Sequence, residues 1–161
     1  TVCMRIISID PGYDRLGVSV MEKDTKGKEV VLFSDCFLTD KKDSLEKRIL
    51  FLGQEVKSVI KKWSPTHMAI EKLFFTKNQT TAMKVAEVRG VVIYEASQQG
   101  ISIHEFSPQD IKIAVTGYGK ATKDQVSKMT EKILSLSTKK RLDDEMDALA
   151  LGVTALAHNR K

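Results

Sequence analysis

The sequence predicts an α/β fold in which a mixed five-stranded sheet is flanked by helices. Two observations carry this expectation. Three short β-patterned runs come first, joined by connections too brief for a crossover, which makes them antiparallel neighbours. Helical and strand patterns then alternate, and connections long enough to hold a helix produce parallel neighbours.

Arg5–Asp10, Leu16–Lys23 and Glu29–Leu38 read as the three opening strands, with turns around Pro11-Gly12-Tyr13-Asp14 and Asp24–Lys28. Ser44 opens an amphipathic helix whose apolar stripe is Leu45, Ile49, Leu52, Val56, Val59, Ile60 and Trp63, ending before Pro65. Strand His67–Glu71 follows, then a polar loop from Lys72 to Gln79. A long helix from about Thr80 to Gln99 stops at Gly100 before the strand Ile101–Phe106. Ser107-Pro108-Gln109-Asp110 starts a short helix that breaks at Gly117, with Ser as cap and Pro in first position. Thr122-Lys123-Asp124-Gln125 resembles a capping box for the next helix, and the last begins near Asp143.

Composition narrows the class. At 161 residues, 42% hydrophobic and 29% charged, the chain suits one soluble globular domain over 1–161, with Thr1-Val2-Cys3 expected to be an extension before the native start. No apolar run approaches the ~20 residues a membrane span needs. With two cysteines and no signal-peptide pattern, the expectation is a cytoplasmic protein with no membrane partner. The net charge of +5 favours a polyanionic partner only weakly.

Four acids offer more. Asp10 and Glu71 each close a short apolar run, so each sits where a buried strand reaches the sheet edge. Asp144 and Asp147 are three apart where an apolar helical pattern begins, which puts both on one face of its first turn. Taken singly, Asp10 before Pro-Gly is a turn residue, Asp144 a helix cap and Glu71 a solvated strand end. Together they make a metal site of oxygen donors, the ligands hard divalent cations prefer. Carboxylates within ~6 Å of one another repel by several kcal/mol unless cations accompany them.

The chain resembles the RuvC family of bacterial Holliday junction resolvases over nearly all its length after Cys3. The likeness is carried by Ile9-Asp10-Pro11-Gly12, Ile70-Glu71-Lys72-Leu73-Phe74 with Lys77-Asn78, Arg89-Gly90-Val91, Lys112 before Gly117-Tyr118-Gly119, Lys123, and Asp144-Glu145-Met146-Asp147-Ala148-Leu149-Ala150. Their order and spacing are highly specific together. The resemblance implies a ribonuclease H-like fold and an endonuclease that resolves four-way DNA junctions as a homodimer, by paired symmetric nicks. It also implies two Mg²⁺ per subunit, with Mn²⁺ as a substitute, and the RuvA–RuvB branch-migration complex as a further partner. The family's catalytic and metal-binding acids fall on Asp10, Glu71, Asp144 and Asp147, with Asp10 expected to bridge the metals.

DNA contacts are expected from Phe74, Lys77, Asn78, Lys112, Tyr118 and Lys123. An aromatic at the Phe74 position implies stacking on a splayed base, although Phe75 beside it leaves the choice between the two open. Lys112 and Lys123 flank a glycine loop, where ammonium groups meet phosphate, and alone they read as solvated lysines. From Val85 to Ala96 the long helix carries apolar groups around most of its circumference, consistent with burial between layers or with self-association. Two rivals differ in class. A sugar-kinase or actin-like nucleotide-binding domain needs two lobes and leaves Asp144 and Asp147 without a role. A non-catalytic junction-binding scaffold would tolerate loss of acids, but all four are present.

Overall fold

The period-two alternation of the first strand divides the molecule into layers. In the computed structural model, which describes residues 4–73 and 78–158, the chain runs β1 (Arg5–Asp10), β2 (Arg15–Lys23), β3 (Glu29–Leu38), α1 (Leu45–Trp63) and β4 (His67–Glu71). It continues through α2 (Gln79–Gln98), β5 (Ser102–Phe106), α3 (Pro108–Thr116), α4 (Lys123–Leu134) and α5 (Asp143–His158). The sheet order is β3-β2-β1-β4-β5. β1 pairs antiparallel with β2 and parallel with β4, β2 is antiparallel to β3, and β4 is parallel to β5. The mixed sheet expected from the sequence is therefore present.

On one face Ile7 and Ile9 join Leu52, Val56 and Ile60 of α1 and Val88 and Val92 of α2. Ile6 points the other way, into a core with Met146, Leu149, Leu151 and Val153 of α5. α3 and α4 contact α5 in turn. α5 is thus enclosed: Glu145, Met146 and every residue from Ala148 to Leu156 are buried, the pattern of a helix between two layers. Each fully buried Leu there is worth about 2 kcal/mol relative to exposure.

α2 is different. Its buried stripe is only Ala82, Val88, Val92 and Ala96, while Met83 and Tyr94 are exposed. The apolar circumference read from the sequence is split between a core face and an outward face.

Local chemistry sets the helix ends that matter. Ser107 and Thr122 form reciprocal capping boxes with Asp110 and Gln125, and Gly117 closes α3 at φ 74°, where a side chain would be strained. Ser44 occupies the cap position of α1 but its side chain makes no cap hydrogen bond.

β2 and the start of α5 approach each other closely. A Cβ on Gly17 would sit 1.8 Å from the Asp144 carbonyl oxygen, so only glycine lets backbone meet backbone there. Farther along, the buried Ser19 Oγ donates to the Ala148 carbonyl at 3.1 Å and ties the same two elements. Gly17→Ala must therefore push α5 off the sheet, and equilibrium denaturation should show a loss of about 1–3 kcal/mol. Wild-type stability in that variant would mean that α5 does not dock as described.

Candidate metal centre

Parallel pairing of β1 with β4 sets Ile9 beside Ile70, so the next residues, Asp10 and Glu71, leave the same sheet edge on strands about 4.8 Å apart. Across the antiparallel ladder Asp10 faces Gly17, the residue against which the backbone of Asp144 rests. The first turn of α5 therefore arrives over the edge that carries Asp10 and Glu71, bringing Asp144 and Asp147. Carboxylates are favourable at this positive end of the helix dipole.

The turn after Asp10 is held from behind. Arg48 of α1 is buried, pairs with Asp14, donates to Thr39 Oγ1 at 2.9 Å and to the Tyr13 carbonyl at 3.1 Å, and lies 5.0 Å over the Tyr13 ring. Such a network fixes the backbone that leaves Asp10.

Electrostatics identify Asp10 as the centre. Burial, then the charges of Asp147, Glu71 and Asp144, push its carboxyl up to about 7, with Lys123 opposing. Glu71 is raised by burial and by Asp147, again against Lys123. Asp147 is raised by burial, opposed by the charge and hydrogen bond of Lys123 and supported by Asp144 and Asp143. Burial works against the ammonium of Lys123, yet its acidic neighbours, Asp147 foremost, hold its pKa above the usual lysine value.

Among the described residues, however, no three acidic, histidine or cysteine side chains stand close enough to hold one metal ion. The acids are paired elsewhere. Asp147 Oδ2 lies 3.3 Å from Lys123 Nζ, which also stands 3.8 Å from Asp143. Asp144 Oδ2 lies 3.0 Å from Arg15 Nε but is buried without a hydrogen bond of adequate geometry. Mutual repulsion is consistent with this arrangement: the two acids on α5 stand against cations of the chain itself, Asp144 against Arg15 and Asp147 against Lys123. The donor set still fits a hard divalent cation: every donor is a carboxylate oxygen, one buried oxygen lacks a hydrogen bond, and burial, with the charges of neighbouring acids, drives Asp10 toward neutrality.

Glu71 separates two clefts. One, of about 300 Å³, is lined by Glu71, Lys112, Thr122, Lys123, Asp147 and Ala150 among others. The second, of about 220 Å³, is lined by Asp10, Pro11, Glu71, Lys72, Val85 and Arg89 among others. A larger cavity, about 430 Å³, lies away from these acids, between the ends of α1 and α2 at Lys57, Lys61, Pro65 and Gln99. Size does not mark the functional site here, because convergent acids are missing from that cavity's lining.

Of the expected DNA-contact residues, Lys112 and Lys123 share the acidic cleft. Tyr118 does not join them; it is exposed and lines a separate cleft with Met129, Lys128 and Lys132. Asn78 caps α2, its side chain accepting from the Thr81 amide at 3.2 Å. Phe74, Phe75 and Lys77 lie outside the described residues. Glu145, which the acid pattern does not require, is buried and accepts from Ser34 Oγ at 2.6 Å. Sequence reasoning missed Gly17 and Arg15. The hairpin register that places Gly17 opposite Asp10 was a usable signal, whereas no local pattern announces the Arg15–Asp144 pair.

Residues 6–155 match the family model described as crossover junction endodeoxyribonuclease RuvC. The protein of that name from Thermosipho melanesiensis is 43% identical over 148 residues, covering 92% of this chain and 94% of the relative. Its counterpart in Fusobacterium nucleatum is 40% identical over 151 residues, 94% of this chain and 79% of the relative. Among solved structures, Thermus thermophilus RuvC in complex with a Holliday junction substrate superposes with a TM-score of 0.90 at 29% identity, covering 98% of this chain and 95% of the other. A yeast mitochondrial Holliday junction resolvase shares the fold, with a TM-score of 0.70 at 12% identity over 96% of this chain and 78% of the other. The fold is ribonuclease H-like, and with this agreement in sequence and structure the chain belongs to the RuvC family of crossover junction endodeoxyribonucleases.

Proposed function

We propose that this chain resolves four-way DNA junctions by hydrolysing phosphodiester bonds at the edge where Asp10, Glu71, Asp144 and Asp147 converge. The observation that carries the reading is the Asp10 carboxyl, raised to about 7 by burial and by three neighbouring acids, a site whose charge calls for cations. Mg²⁺, two per subunit with Mn²⁺ as substitute, is the proposed partner of these four side chains. Bound there, such cations supply an activated water and stabilise a departing 3′ oxygen, giving 5′-phosphate and 3′-hydroxyl ends.

The chain's own groups do the rest. Asp10, at the meeting point of β1 and the clamped turn, is the acid placed to be shared. Glu71 and Asp147 line the cleft that also holds Lys112 and Lys123, so a strand entering it would meet ammonium groups beside the carboxylates, Lys123 standing 3.3 Å from Asp147. The lysines would draw the phosphate charge toward the acids. The non-catalytic scaffold reading is disfavoured by the presence of all four acids, which a binding role alone would not require.

A second copy of this chain and junction DNA are the proposed partners, and the whole chain is proposed to act as a single nuclease domain in the cytoplasm. No helix among the described residues is long and apolar enough to cross a membrane. The face proposed for self-association is the outward side of α2, where Met83 and Tyr94 are exposed. Val92 belongs to the core and is not part of that face.

Asp10→Asn should lower cleavage of a synthetic four-way junction in Mg²⁺ by about a hundredfold or more, with junction binding in Ca²⁺ nearly intact. Residual activity within tenfold of wild type would sink the assignment. The same variant tests the electrostatics without metal. A carboxyl with its folded pKa raised from 3.8 to about 7 gives stability that is full below about pH 4 and lost as pH rises toward 7. In EDTA at pH 8, Asp10→Asn should therefore be more stable than wild type, on the order of 2 kcal/mol, and the difference should vanish near pH 4. A variant less stable than wild type at pH 8 would make Asp10 a structural residue.

Tyr94→Glu should give monomers by sedimentation at micromolar concentration while keeping the wild-type fold by circular dichroism, because a charge is costly in an apolar contact. A wild-type monomer, both free and on junction DNA, would refute the dimer.

A further inference from the structure

Arg15 opens β2 directly after the turn that leaves Asp10, and its position is unusual for a cation. Its side chain is half-exposed, yet its Nε lies 3.0 Å from Asp144 Oδ2, the oxygen that is buried and lacks a hydrogen bond. An arginine with settled geometry usually engages a carboxylate by parallel N–H···O bonds. Here the contact is electrostatic and poorly aligned, as expected of a pair held by charge and ready to exchange. On the other side of the acids Lys123 holds Asp147 at 3.3 Å. These two cations thus pair with Asp144 and Asp147, and among the described residues no three acids are gathered closely enough to hold one metal ion. Arg15 stands on the β2 side of the acids, whereas Lys112 and Lys123 stand on the α3–α4 side.

We propose that Arg15 is an exchange cation: it neutralises Asp144 while the centre lacks metal, and on metal loading it gives up that carboxylate and takes a phosphate oxygen of the bound DNA strand. The inference rests on the metal-centre reading above. It adds a positioning residue, on a different element from the lysines, that links metal occupancy to grip on DNA. No covalent step is involved; one ion pair is traded for another. Because Arg15 and the metal compete for Asp144, each weakens the other's hold on it.

The test uses the full chain and two probes. In the first, Mn²⁺ alone is titrated calorimetrically into wild type and Arg15→Gln without DNA. Loss of the competing cation should tighten Mn²⁺ binding by about three- to tenfold, the range expected for a coupling of this size. In the second, binding of a synthetic four-way junction is measured across salt concentrations in Ca²⁺ and in EDTA. Arg15→Gln should match the wild-type salt slope in EDTA but fall below it by about one in Ca²⁺, where Arg15→Lys should keep the wild-type slope. Equal or weaker Mn²⁺ affinity in Arg15→Gln overturns the exchange alone. A slope lowered in both conditions also overturns it, making Arg15 a permanent phosphate contact, and so does a slope lowered in neither. Failure of wild type to bind Mn²⁺ at all removes the metal centre itself and the exchange with it.

Discussion

Backbone contact between β2 and the first turn of α5 is the constraint on which the rest of this structure depends. Where Gly17 meets the Asp144 carbonyl, the enclosed helix is brought down onto the sheet at the edge that bears Asp10 and Glu71. A larger residue would raise the helix, and with it two of the four acids. The apolar length of α5, buried from Met146 to Leu156 except at the half-buried Asp147, supplies the force that holds this approach closed. Packing energy in the core is thus converted into proximity of like charges at the rim, a combination that folding alone would avoid.

That conflict explains the electrostatic pattern. Asp10 lies deepest and is driven toward the neutral form, while the acids on α5 are met by Lys123 and Arg15. The chain satisfies itself provisionally with its own cations. A divalent ion would replace two single charges on flexible stems by one compact charge among oxygens, which is the stronger arrangement in a partly buried site. The rigid support for such an exchange would be the Arg48 clamp behind the turn, which fixes the backbone after Asp10.

Most of the fold was legible because hydrophobic period is a local signal. Alternation in β1, the stripe of α1 and the capping residues Ser107 and Thr122 each announce an element within a few residues of sequence. That Asp10 and Glu71 end strands at one sheet edge was legible as a condition, since a long crossover makes strands parallel, but the pairing of β1 with β4 that sets them side by side is seen only in the fold. What could not be read is whatever depends on where one element lands on another. α2 looked apolar all round, but only contact with α1 and the sheet decides that Val92 is core and Tyr94 is surface. Tyr118 sits beside the glycine loop in sequence, yet the loop turns it into a different cleft from Lys112. Arg15 gave no signal because its partner lies on the far side of the chain in sequence and reaches it only through the Gly17 contact.

The docking of α5 also has a meaning in time. Synthesis releases the chain from its N-terminus, so β1 to β4 can pair and bury their first core while Asp144 and Asp147 are still unmade. Such a partial sheet has the two strand-end acids and none of the helix acids. Half a ligand set holds a cation poorly, and a domain missing its enclosed helix exposes the apolar face that α5 later covers. On the proposed reading of the four acids, nuclease competence therefore waits for α5. On that reading, the distance in sequence between Asp10 and Asp147 keeps a half-made chain from cutting DNA.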